Sequence, residues 1–188
     1  MRLVMSYAVL ALAAAPLVAQ QGMAGGAAAP LPSGYRQMQL SDLERERGMT
    51  LAMLDSMPER LIHFKPVPEV RDFMQQIAHA ALPIALFAAT AKGERPPALG
   101  DSTAYLGGKG ALREAIARSY DYARSVLEGM SDADYQGTVM FFGRPTPRWK
   151  VVAAALEHST WTRGEVVAYF RLNGMAPPAF ELFPPARR

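Results

Sequence analysis

Four stretches of the chain carry apolar residues at the three- and four-residue spacing of an amphipathic helix. The first comprises Leu40, Leu43, Leu51 and Leu54. The second comprises Phe73, Ile77, Ile84 and Phe87. The third is the most regular and comprises Leu112, Ile116, Tyr120, Ala123, Leu127 and Met130. The fourth has the same spacing but mixes apolar and polar residues, and comprises Val151, Ala155, His158, Thr162, Glu165 and Tyr169. No alternating strand pattern is as strong, so the sequence predicts an all-α, antiparallel four-helix bundle.

Capping signals set the predicted bounds of the first helix. Ser41 and Glu44 have the spacing of a capping box, in which a hydroxyl and a carboxylate bond free backbone N–H groups. The alternative is an earlier start near Tyr35. Either way, the helix is predicted to end at about Met57.

The second helix has a clearer start and an internal proline. Asp72 and Gln75 repeat the capping pattern, and the helix is predicted to end before Gly93. Pro83 lies inside it and cannot donate a hydrogen bond to the carbonyl of His79. We therefore expect a kink near His79.

The connections after the second helix are predicted to be irregular. Lys92–Lys109 is a long loop that contains glycine and proline, and Gln136–Arg144 is a second irregular loop. Thr146 followed by Pro147 is typical of a cap with proline at the first helical position. The fourth helix is predicted to run from there to Leu172.

The N-terminal residues have the layout of a secretory signal peptide. After a short basic start, residues 3–18 are almost wholly apolar and are followed by the small residue Ala19. We expect residues 1–19 to be cleaved, because the alternative of a membrane anchor needs a longer apolar run. The mature protein is then expected to be periplasmic or secreted, without membrane association. Residues 20–34 are rich in glycine and alanine, which predicts a flexible leader before a bundle domain of residues 35–185.

Composition narrows the expected partners. The chain has no cysteine, so an exported domain must be stabilised by packing or by metal and not by disulfides. Its net charge is +3, but the basic residues are scattered among seventeen acidic ones and form no stripe. We therefore expect no nucleic-acid partner. An unknown small molecule is the expected partner, and a homodimer is left open.

The candidate chemistry lies in the histidines. His63 falls in the connector before the second helix, where we expect it to be partly exposed and without a role. His158 lies on the same stripe as Thr162 and Glu165, so all three should project toward the other helices. Bundle interiors of this kind hold metal and ligand sites. The alternative is a core histidine whose nitrogens are bonded by a hydroxyl or a carbonyl.

Several segments resemble one family. They are Val70–Phe73, Gln76–His79, the run Glu157–Glu165 and the ending Arg171–Pro178. Together they resemble DinB-like (YfiT-like) proteins over Tyr35 to Pro178, and Ala91–Glu94 resembles an exported subgroup. The resemblance implies a four-helix bundle in which three histidines bind one divalent metal, often zinc or nickel, and leave coordination positions open.

Carried over by position, the resemblance makes His79 the first metal ligand, His158 the second and Thr162 the third. Threonine is a poor ligand for a cation that prefers imidazole. We therefore expect a degenerate site with zinc or nickel weakly bound or absent. Glu165 does not repair the site easily, because two helical turns separate it from His158 by about 10.5 Å of rise.

Other charged residues are expected to lie in solvent. Glu44 and Glu46 of the first helix are alternative ligands, but such carboxylates are more often solvated. Arg163 is predicted to lie on the outer face of the fourth helix or to neutralise its C-terminus.

Two function classes follow from the resemblance. One is a metal-dependent hydrolase or transferase that acts on a small molecule. The other is a non-catalytic binding or structural bundle that has lost its metal. The catalytic residues are unknown on either view.

Overall fold

The computed structural model describes residues 31–182, so the predicted signal peptide and most of the leader lie outside the described residues. The first helix, α1, spans Tyr35–Ser56. Its N-cap is Gly34, whose φ of 81° is in the left-handed region. Ser41 lies inside the helix, so the predicted capping box with Glu44 is wrong and the earlier start is confirmed.

The second predicted helix is two helices, α2 (Phe73–Ala81) and α3 (Pro83–Lys92), separated by Leu82. The capping box of Asp72 with Gln75 is confirmed. The interruption lies at Leu82, three residues beyond the predicted kink at His79, because proline is well suited to start a new helix.

A buried hydroxyl from a neighbouring helix satisfies backbone groups at this interruption. Ser119 Oγ accepts from the amide of Ala85 at 3.1 Å and donates to the carbonyl oxygen of Ala81 at 3.0 Å. Ser119 is fully buried. The break between α2 and α3 is therefore stabilised by hydrogen bonds to Ser119 on the neighbouring helix.

The third predicted helix is α5, Lys109–Gly129, and all six residues of its predicted apolar stripe are buried. The predicted loop before it contains a short helix, α4 (Ser102–Leu106), which Asp101 caps. After α5 comes another short helix, α6 (Asp132–Gln136). A 3-10 turn, Glu59–Leu61, occupies part of the connector before α2.

The predicted irregular loop after α6 is instead a hairpin of β1 (Thr138–Phe141) and β2 (Arg144–Pro147). The two residues between the strands, Phe142 and Gly143, both have positive φ. Turns with two such residues match the twist of a hairpin, but Asn-Gly or Asp-Gly is their usual sequence. The sequence pattern did not indicate this hairpin, because phenylalanine is unusual in the first position of such a turn.

The fourth predicted helix is α7, Arg148–Leu172. It begins one residue after Pro147, and the hydroxyl of Thr146 donates to the carbonyl of Arg144. The predicted threonine cap is therefore wrong. Helix α7 packs against α1, α2 and α3, so it forms one side of three interhelical grooves.

Together α1, the α2–α3 pair, α5 and α7 enclose one apolar core. Leu31, which the sequence assigns to the leader, packs against that core. Within residues 31–182, Phe73–Lys92 is long and apolar enough to cross a membrane by length and composition. That stretch is 61% buried inside the bundle, which is common for a core helix.

One buried ion pair overturns two predictions. Glu46 of α1 is 1% exposed and Arg163 of α7 is 4% exposed. Arg163 Nη2 donates to Glu46 Oε1 at 3.3 Å, and Nη1 bonds the other carboxylate oxygen. Neither residue is solvated on an outer face. A fully desolvated carboxylate needs such a partner, so the pair joins α1 to α7 inside the bundle.

Candidate functional site

The structure brings the two histidines of the predicted metal site together. His79 comes from α2 and His158 from α7, and their ring centroids are 5.1 Å apart with the rings nearly perpendicular, at 84°. His63 lies apart from this pair. Its Nδ1 is 3.1 Å from a carboxylate oxygen of Asp72, and its side chain is 58% exposed. A bundle groove between α2 and α7 therefore holds a pair of imidazoles.

The surroundings of the pair favour neutral imidazoles. Partial burial lowers the pKa of both His79 and His158, and the positive charge of Arg71 lowers both further. The charge of His158 also lowers the pKa of His79, whereas the carboxylate of Glu165 raises it. Neutral imidazoles have a free nitrogen lone pair, which is the form that ligates metals.

The third predicted ligand, Thr162, lies one turn after His158 and is 5% exposed. Its carbonyl oxygen accepts a hydrogen bond from Gln76 Nε2 at 3.1 Å. The same nitrogen donates to Glu165 Oε2 at 2.7 Å. Gln76 therefore fixes the backbone at Thr162 and holds the carboxylate of Glu165 beside itself.

The donor set fits part of a zinc site. Two imidazoles that share one tetrahedral zinc ion, with Zn–N bonds of about 2.0–2.1 Å, would have ring centroids roughly 5 Å apart. The separation of His79 and His158 matches this value. Within residues 31–182, however, no three His, Cys, Asp or Glu side chains converge as a metal-binding group. The pair itself can supply two imidazole ligands, and Thr162, one turn along α7, carries only a hydroxyl, which is a weak ligand.

Aromatic side chains cover one side of the histidine pair. The ring of Phe87 is 5.8 Å from that of His158 and 5.4 Å from that of Phe141 in the hairpin. Trp161, also on α7, is 76% exposed. No sequence signal predicted this cover, because Phe141 reaches Phe87 through the hairpin that the pattern missed.

An open cleft of about 620 Å³ lies where α2 and α7 meet, one turn of α2 before His79. It is lined by Pro66, Glu69, Val70, Arg71, Gln76, Glu165, Ala168 and Tyr169. The hydroxyl of Tyr169 donates to the carbonyl of Arg71 at 2.7 Å. Burial raises the pKa of Tyr169, so the hydroxyl keeps the proton that it donates. Arg71 and Gln76 lie in segments that resemble the family, but the sequence predicted no role for either residue.

The lowered histidine pKa values predict a pH-dependent stability. An unfolded histidine has an ordinary pKa of about 6.5, so below that pH the unfolded chain binds more protons than the native state. The contribution of His79 to the free energy of unfolding is therefore fully present above about pH 6.5. It is lost as the pH falls through the lower native pKa of His79. We expect urea unfolding with chelator to show a smaller loss between about pH 7.5 and 5.5 for His79→Gln than for the wild type. Equal losses would contradict this.

These features define an all-α bundle with paired imidazoles in one interhelical groove. The sequence model of the DinB superfamily matches residues 42–163, a range that includes both histidines and Thr162. The chain belongs to the DinB superfamily, as the resemblance predicted. A search of curated proteins found no match.

Solved structures agree on the fold. A DinB-like protein from Bacillus cereus ATCC 10987 is similar with a TM-score of 0.65 and 17% identity, over 79% of this chain and 96% of that one. A DinB-like protein from Bacillus subtilis, YjoA, has a TM-score of 0.61 and 14% identity, over 76% and 96%. At these identities the likeness concerns the fold alone.

Proposed function

We propose that this chain is an exported DinB-superfamily protein that binds a divalent metal, zinc or nickel, weakly through His79 and His158, beside a cleft for a small molecule. The observation that carries the proposal is the 5.1 Å separation of two imidazoles from different helices. That separation suits a shared ion, and lowered pKa values keep both imidazoles neutral. Thr162 occupies the third ligand position.

Two features support weak binding. The first is the incomplete donor set, since a hydroxyl is a much poorer zinc ligand than imidazole. The second is the positive charge of Arg71, which lowers the pKa of both histidines and opposes a cation at the same place. Glu165 offsets that field at His79, but its carboxylate is bonded to Gln76.

A metal held by so few side chains keeps coordination positions open for water or substrate. When bound, such an ion polarises a substrate oxygen or lowers the pKa of a bound water. The adjoining cleft would position a small molecule for this chemistry. The reaction class that fits is hydrolysis or group transfer, as the resemblance implies.

The second candidate is a non-catalytic binding or structural bundle without metal. The observation that favours it is the packing of His158 between the rings of His79 and Phe87, which also suits a histidine with a purely structural role. Metal binding separates the two candidates directly.

The test is calorimetric titration of the purified, chelator-treated protein with zinc and then with nickel. We expect a dissociation constant of micromolar or weaker for the wild type, and a loss of at least tenfold for His158→Gln, about 1.4 kcal/mol. The matched control is His63→Gln, which removes a histidine outside the pair and should change nothing. Equal binding by the wild type and His158→Gln would reject the metal site. Tight stoichiometric binding would reject weak binding and indicate a further ligand.

A further inference from the structure

The cleft beside the histidine pair has charges of both signs that do not neutralise each other. Arg71 and Glu165 both line it. Within residues 31–182, the guanidinium of Arg71 forms no ion pair within 4.0 Å, although twelve such pairs occur there. The carboxylate of Glu165 bonds the amide of Gln76 instead. A cation and an anion therefore face one cavity while remaining apart.

The supports of these two charges are fixed. Gln76 is 2% exposed, and its Nε2 also bonds the carbonyl of Thr162, so it holds Glu165 from inside the bundle. On the other side, Tyr169 holds the carbonyl of Arg71, and the next residue, Asp72, is locked in its capping box. The carboxylate of Glu165 and the backbone that carries Arg71 are therefore held in place before a ligand binds, which reduces the ordering cost of binding.

We propose that this cleft binds a small zwitterion with an apolar body, its carboxylate on Arg71 and its ammonium on Glu165. Guanidinium is the side chain best matched to a carboxylate. Val70, Pro66 and Tyr169 supply apolar surface for the body of the ligand. A simple anion would meet the carboxylates of Glu69 and Glu165, and a simple cation would meet Arg71. The inference deepens the proposed function, since it names the class of small molecule.

The probe is L-leucine, compared with N-acetyl-L-leucine, which lacks the ammonium, and L-leucinamide, which lacks the carboxylate. Binding is measured by calorimetry on the full mature chain, with thermal shift as a second readout. We expect leucine to bind at least tenfold more tightly than either analogue. If all three bind equally, or leucine does not bind at millimolar concentration, the zwitterion proposal is overturned.

Two variants test which residue binds the carboxylate of leucine and which binds its ammonium. Arg71→Gln should weaken leucine binding at least tenfold without weakening leucinamide binding, and Glu165→Gln should weaken leucine binding without weakening N-acetyl-leucine binding. The control is Arg171→Gln, an exposed arginine of α7 that does not line the cleft. If Arg71→Gln binds leucine as the wild type does, the carboxylate is not recognised there and the proposal fails.

Zinc alone distinguishes this failure from failure of the metal site. Arg71 is not a proposed ligand, so Arg71→Gln should bind zinc at least as tightly as the wild type. Loss of leucine binding with zinc binding kept supports the cleft proposal on its own. Zinc binding without any leucine binding overturns the cleft proposal and leaves the metal proposal standing.

Discussion

Replacing Arg163 with methionine is expected to lower the free energy of unfolding by about 3 kcal/mol, the lower end of the cost of breaking a buried ion pair, because it removes the closest partner of a buried carboxylate. That carboxylate belongs to Glu46, which is 1% exposed on the facing helix α1 and keeps only the more distant guanidinium of Arg45, at 3.5 Å. Methionine fills most of the volume of the arginine stem, so the effect reports the lost charge more than a cavity. Urea unfolding at neutral pH measures the change.

Two further variants make this experiment specific. The double variant Glu46→Gln/Arg163→Met removes both charges and should recover part of the loss, since the isolated charge is the main cost. The matched control is Arg47→Met, which breaks a surface pair with Asp121 and should cost less than about 1 kcal/mol. If Arg163→Met costs no more than Arg47→Met, the pair of Glu46 with Arg163 contributes no more than a surface ion pair, and the prediction is wrong.

The same pair orients helix α7. Arg163 faces α1, whereas the preceding residue, Thr162, has its carbonyl bonded to Gln76 of α2. Both bonds together fix the rotation of α7, and that rotation places His158 beside His79.

The sequence predicted the parts of the fold that depend on local signals. The stripe of α5 and the capping box at Asp72 need only residues a few positions apart. It missed the hairpin, because Phe142 is an unusual turn residue whose positive φ only the folded structure reveals. The prediction that Glu46 and Arg163 are solvated was also wrong, because the two residues are far apart in the sequence and their pairing depends on how α1 packs against α7.

The candidate site also has a part that the sequence predicted and a part that depends on contacts between helices. The family segments pointed to His79 and His158, and the structure places them in contact. The roles of Arg71, Gln76 and Glu165 depend on side chains from α2 and α7 meeting across a groove. No spacing within one helix encodes such a meeting.

Thr162→His is expected to complete a three-imidazole site and to tighten zinc binding by at least tenfold, about 1.4 kcal/mol. Residues four apart on a helix differ by only about 40° in direction and 6 Å in rise, so imidazoles at 158 and 162 can converge on one ion. The bond from Gln76 to the carbonyl of Thr162 holds the backbone in place for the new side chain. Bound zinc should then stabilise the fold, because only the native state presents the site.

The competing outcome has the opposite sign. Thr162 is 5% exposed, so an imidazole without a metal to bind would crowd the packed groove and cost about 1–3 kcal/mol. Thermal melting with and without zinc separates the two, and Thr162→Gln is the matched control for added bulk without a metal ligand. A rise in melting temperature with zinc, seen for Thr162→His and not for Thr162→Gln, supports the site. If Thr162→His melts below the wild type and zinc does not raise it, His79, His158 and residue 162 do not share one ion, and the alternative of a bundle without metal is favoured.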